Sequence, residues 1–224
     1  MKNFLRRTLA EVLSEDPDIN PGHSYEDDTG YTYDDDQLST GGVEDIADEA
    51  ETEFLRWAGV KEDDPEGEDL LWDIWEAVPG RDIASDILNR VPWSSAFISA
   101  IFLRAGIEFF STAQHKQYMI KALENRETGN GSFIALRPEE VVDEPGLVYV
   151  RDRGSGSTFE NPGEKNHADI SLGDGTAVGG NLSNSVSRVN VETDENDSPV
   201  AVQGEKIIMV IAPTGDWVDE FEFL

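Results

Sequence analysis

Pro92-Trp93-Ser94-Ser95-Ala96-Phe97-Ile98-Ser99-Ala100-Ile101-Phe102-Leu103-Arg104-Ala105-Gly106 is the stretch that decides the fold. Between the proline and the last glycine nearly every residue is apolar or small. A helix with no polar face has nothing to give to water and must be buried. Pro92 stands just ahead of it, serine is a favoured N-cap, and Gly106 suits the C′ position. The expectation is a central core helix with serines at its N-terminus.

Outward from that helix the pattern is helical on the N-terminal side. Ile46, Ala50, Phe54 and Trp57 recur at helical spacing, with Gly59 as a stop. An acidic loop, Lys61–Asp69, leads to Leu70, Leu71, Ile74, Trp75 and Val78, a second amphipathic helix ended by Pro79-Gly80. Ala84, Ile87 and Leu88 mark a short third one, and Thr112–Asn125 a helix beyond the core helix. The grammar then changes. Gly146–Val150, His167–Leu172, Thr176–Asn181, Val186–Val191 and Lys206–Ala212 are short, β-rich and separated by Gly, Asn, Asp and Pro. Helices first and strands second means α+β, with the core helix packed on a C-terminal antiparallel sheet.

The domain is expected over residues 44–213. Residues 1–43 read as a short helix (Phe4, Leu5, Leu9, Val12, Leu13) and an acidic arm of linker composition, and 214–224 as an acidic aromatic tail. The arm's aspartate clusters lack EF-hand spacing, and no metal or other cofactor is expected. No run of 18 apolar residues exists, so no membrane span is expected. MKNFLRRTLAEVL has no signal-peptide core, which implies synthesis in the cytoplasm. There is no cysteine, hence no disulfide and no thiol nucleophile.

Charge is the loudest compositional feature: 47 acidic against 17 basic residues, net −30. Such a surface is unsuited to nucleic acid, whose phosphates need Lys and Arg. Three readings stand. Adaptation to high salt comes first, because screening over about 3 Å at molar ionic strength removes the self-repulsion. An ordinary solvated acidic surface and an acidic mimic of nucleic acid follow.

A serine at the N-terminus of a buried helix is well placed for acyl transfer, since the helix dipole and free N–H groups favour a tetrahedral anion. It needs a base and an orienter. His167 opens a strand, and Gly173-Asp174-Gly175 is a turn signal. If that turn is a three-residue loop, Leu172 faces Thr176 and the register sets His167 opposite Asn181.

These segments resemble the papain-like CHAP amidases and peptidases. Those carry a Trp-Cys-Ala-Ala-Phe-type motif at the start of a core helix, then a His opening a strand, then Gly-Gly-Asn. Here the matching residues are Trp93-Ser94-Ser95-Ala96-Phe97, His167-Ala168-Asp169-Ile170 and Gly179-Gly180-Asn181. The chain is still more similar to a serine-bearing offshoot known as a domain of unknown function, with His-x-x-Tyr after the core helix (His115–Tyr118) and Arg-Pro before the first strand (Arg137-Pro138). The similarity runs from about Glu44 to Ala212. It implies a papain-like fold, Ser94 as nucleophile, His167 as base and Asn181 as orienter, with Trp93 and His115 beside the substrate. A serine hydroxyl does not ionise as the family thiol does, so it needs concerted base catalysis and a formed oxyanion hole.

The resemblance further implies an amidase or endopeptidase acting on an envelope polymer or a host surface protein. Such relatives commonly serve virions as tail or lysis proteins, placing the chain in a virion or outside the cell. The N-terminal segment would then contact other virion proteins. The rival is a non-catalytic virion adaptor that keeps the fold.

Overall fold

The computed structural model describes residues 42–78 and 91–214. The expected helix near the N-terminus, the acidic arm, the short helix at Ala84–Leu88 and the C-terminal tail lie outside these residues.

Among the described residues four α-helices precede the strands. Helix α1 (Val43–Trp57) starts where Asp45 Oδ2 reaches back to the Gly42 N–H at 2.6 Å, and stops where Ala58 turns left-handed at φ 42°. Helix α2 (Pro65–Trp75) has Pro65 in its first turn, a position where the missing N–H costs nothing. It therefore begins inside the stretch expected to be a loop. Helix α3 (Ser94–Arg104) is the core helix: every residue from Ser94 to Phe102 is buried. Trp93 holds the N-cap position and Ser94 is the first helical residue, one place later than the serine cap expected. Helix α4 (His115–Thr128) ends at Gly129, φ 67°.

Seven strands follow: β1 (Phe133–Leu136), β2 (Pro145–Asp152), β3 (Asn166–Leu172), β4 (Thr176–Gly179), β5 (Ser187–Thr193), β6 (Pro199–Val202) and β7 (Glu205–Pro213). All pairings are antiparallel, in the order β1-β7-β2-β3-β4-β5-β6, and β6 also pairs with β7. That last pairing closes β2 to β7 into a six-stranded barrel-like sheet. Beside β6, β1 lies along the same edge of β7, pairing with Val210–Pro213 while β6 takes Glu205 and Lys206. The α+β class is as expected, but the sheet curls shut. Closure removes the exposed edges that an open sheet must otherwise protect.

Closure gives the sheet two buried faces. The outer one joins the helices: Val148, Val150, Ala168, Ile170, Val178, Met209 and Ile211 pack with Trp93, Phe97, Ile101 and Phe102. The inner one fills the barrel with Leu147, Tyr149, Ala177, Leu182, Val189, Val202, Ile207 and Val210. Alternation along β2 sends Leu147 and Tyr149 inward and Val148 and Val150 outward. Two strands, β1 and β6, had no strand reading in the sequence; both are four residues long, and β6 begins with a proline.

Candidate active site

Ser94 sits in the first turn of α3, and the chain around it is held on several sides. Trp93, just before it, is fully buried, stacked on Trp57 at 5.1 Å between ring centroids, with its indole N–H donated to Glu62. Expected beside a substrate, Trp93 is instead a core residue that fixes the start of the helix. Ser95 and Ser99, on the same helix, tie down the segment leading into α4. Ser95 Oγ donates to the Thr112 carbonyl at 2.9 Å, and the Thr112 N–H donates to Ser99 Oγ at 3.0 Å. These bonds set where α4 starts, and hence where His115 lies.

His115 is the first residue of α4 and is buried. Its Nε2 is 2.6 Å from Ser94 Oγ, and its Nδ1 is hydrogen-bonded to the hydroxyl of Tyr118, one helical turn on. Burial, then the neighbouring His167, holds the His115 pKa well below 6.5. Burial likewise drives the Tyr118 hydroxyl well above its usual pKa of 10. Both groups are therefore neutral near pH 7.

His167 approaches the same place from the sheet, with its ring centroid 6.0 Å from that of His115. Alternation puts His167, Asp169 and Ser171 of β3 on the barrel face, opposite Arg151 and Tyr149 of β2. Asp169 Oδ1 is 3.2 Å from His167 Nε2, outside the alignment of a good hydrogen bond, and Asp169 Oδ2 accepts from Arg151 Nε at 2.8 Å. Arg151 also pairs with Glu205. Burial opposes charge on Asp169, but His167 and Arg151 outweigh it and hold its carboxyl below the ordinary range. A row of His167, Asp169, Arg151 and Glu205 thus runs from the site through the barrel wall.

Pairs Ile170–Val178 and Ser171–Ala177 show the three-residue turn and the register expected of the β3–β4 hairpin. That ladder ends before Asn181 would face His167. Asn181 has left the strand at φ 58°, and no hydrogen bond joins it to His167 among the described residues. The polar group next to the His167 ring is Asp169, which the sequence reasoning passed over; the spacing His-x-Asp on a strand, two residues on one face, was the signal available.

The glycines of Gly179-Gly180-Asn181 have separate reasons. A Cβ on Gly179 would fall 2.1 Å from Asp169 Oδ1, inside the barrel wall. On Gly180 it would fall 2.5 Å from Phe97 and 2.8 Å from Trp93, on the helix side. One glycine leaves room for the carboxylate and the next lets α3 reach the sheet.

Among the described residues no cluster of His, Asp and Glu could hold a metal ion, and no helix is long and apolar enough to cross a membrane. Ser94, His115 and His167 together offer a nucleophile, a hydrogen-bonding imidazole and a second imidazole with a carboxylate behind it. No curated protein and no solved structure matches the chain. A family model described as "uncharacterized protein conserved in bacteria (DUF2272)" matches residues 52–218, a span that holds all of these groups, and the chain belongs to that family.

Proposed function

We propose that the domain is a papain-like acyl-transfer hydrolase that cuts an amide bond in a cell-envelope polymer or surface protein, with Ser94 as nucleophile. The observation that carries this reading is the Ser94 hydroxyl in the first turn of a buried helix, 2.6 Å from one buried imidazole with a second beside it. The N–H groups of that turn have no acceptor within the helix, so the turn can supply donors to an oxyanion. Ser94 Oγ bonds to the amide carbonyl carbon while its proton passes to His167, which Asp169 steadies. The C–N bond then breaks and the amine leaves with that proton. Water, deprotonated by His167, splits the Ser94 ester, releasing the acid and restoring the hydroxyl.

The fold supports this reading through its order: a helix carrying the nucleophile, then a histidine on an antiparallel strand, as in the CHAP-like enzymes the sequence resembles. An envelope substrate, association with a virion and an acidic surface adapted to salt belong to the same proposal. The test is to incubate the purified protein with envelope fractions in molar salt. Release of new amine termini by the wild type and not by Ser94→Ala supports the hydrolase; silence from the wild type sinks it.

One observation favours the adaptor as second reading. A cleft of about 520 Å³ is lined by Arg137, Asp152, Phe159, Glu160, Val200 and Lys206 among others, and neither Ser94, His115 nor His167 lines it. Wild type and Ser94→Ala behaving alike in a binding or infectivity assay would select that reading.

A further inference from the structure

Ser94 Oγ is hydrogen-bonded to His115 and to no other histidine among the described residues, and hydrogen-bond bookkeeping around Tyr118 decides which way the proton of that bond points. The Tyr118 hydroxyl is fully buried and has a single proton, and His115 Nδ1 is its one hydrogen-bond partner among the described residues. If Nδ1 carried a proton, the phenol oxygen would accept it and the phenol's own proton would point at nothing. An unmade bond in a buried site disfavours that arrangement by about tenfold or more in population. If Nδ1 is bare, the phenol donates to it, and the only proton on the neutral ring is on Nε2, which faces Ser94 Oγ.

We propose that Tyr118 locks His115 as the tautomer protonated on Nε2, so that His115 is an oxyanion-hole donor and not the base. This rests on the hydrolase reading above. In the resting protein Nε2–H donates to Ser94 Oγ, so the serine proton is not held by His115 and, on the hydrolase reading, falls to His167. As Oγ bonds to the substrate carbon, the carbonyl oxygen beside it gains the negative charge, and the Nε2–H bond transfers to that oxygen. No proton moves between His115 and the substrate. A neutral imidazole suits this task, because it donates without giving up its proton, and burial of His115 keeps it neutral. Ser95, Ser99 and Thr112 serve the same end by fixing the start of α4.

Proton placement is tested without any substrate, by long-range ¹H–¹⁵N correlation spectra of the full chain with labelled histidine. The expected result is His115 with Nε2 protonated and Nδ1 bare near pH 7, and a mixture of both tautomers in Tyr118→Phe, which keeps the ring volume. A spectrum with Nδ1 protonated and Nε2 bare overturns the proposal and makes His115 the base. Hydrolysis tests the role: His115→Gln retains an N–H donor and should stay within about tenfold of wild type, whereas His115→Leu should lose about 100- to 1000-fold. Equal loss in both variants overturns the oxyanion role. A wild type that hydrolyses nothing overturns the hydrolase reading and this role with it, while the spectra still decide the tautomer.

Discussion

Strand β3 is buried on both faces, and the two faces are built from different chemistry. Ala168 and Ile170 join Phe97 and Ile101 in a core of apolar side chains under the helices. His167, Asp169 and Ser171 face the barrel, where Arg151 pairs with Asp169 and Asp143 accepts a hydrogen bond from Ser171. Burying the first face needs only fit. Desolvating the second is costly unless every polar group finds a partner. This row ends beside His115, the partner of Ser94.

The largest expected effect is on the polar face. Asp169→Ala leaves the Arg151 guanidinium buried with only the half-exposed Glu205 for charge, and should cost about 3–5 kcal/mol. On the same strand, Ile170→Val should cost only about 0.5–1.5 kcal/mol. Urea unfolding of both variants measures the contrast; near-equal losses would break the distinction between the faces.

The paired glycines sharpen it. Alanine at either Gly179 or Gly180 meets atoms closer than any real Cβ tolerates, and overpacking of this kind costs about 1–3 kcal/mol. The consequences should differ in kind. Gly180→Ala pushes α3, and so Ser94, away from the sheet, whereas Gly179→Ala displaces the Asp169 carboxylate while α3 stays in place. Crystal structures of the two variants would show which element moves.

A smaller effect comes from pH. The folded protein holds the His115 pKa well below 6.5, burial being the main cause, while the unfolded chain takes up a proton there near the ordinary value. Between those two values the unfolded state binds the extra proton, so stability is full above about pH 6.5 and falls as pH drops through it. Asp169, held below its ordinary range, adds a further loss at lower pH. His115→Gln removes the titrating imidazole and should flatten the upper part of this decline in melting temperature between pH 7 and pH 5. An unchanged slope would mean that His115 is not desolvated.

The same contrast explains what could be read from sequence. The outer face was legible: an all-apolar helix with nothing polar to expose must be buried, and the Gly173-Asp174-Gly175 turn set the β3–β4 register correctly. The barrel was not. Its closure depends on β6, four residues opening with Pro199, pairing with Glu205 and Lys206, and no periodicity fits into so short a segment. In the site, Ser94 and His167 stood out by position, but extending the register to Asn181 assumed that the strand continues, and the chain turns left-handed there instead. The resemblance places His115 beside the substrate, but spacing alone does not tell a buried helix residue from an exposed one. Its bond to Ser94 follows from Ser95 and Ser99 gripping Thr112, a tertiary arrangement with no signature in spacing.

The central claim, that Ser94 is a poised nucleophile, is tested most directly by mass spectrometry after treatment with a serine-directed fluorophosphonate. The expected result is one covalent adduct on the peptide carrying Ser94, absent from Ser94→Ala and strongly reduced in His167→Ala. No adduct on a folded wild-type protein, or an adduct on another serine that persists in Ser94→Ala, would contradict it.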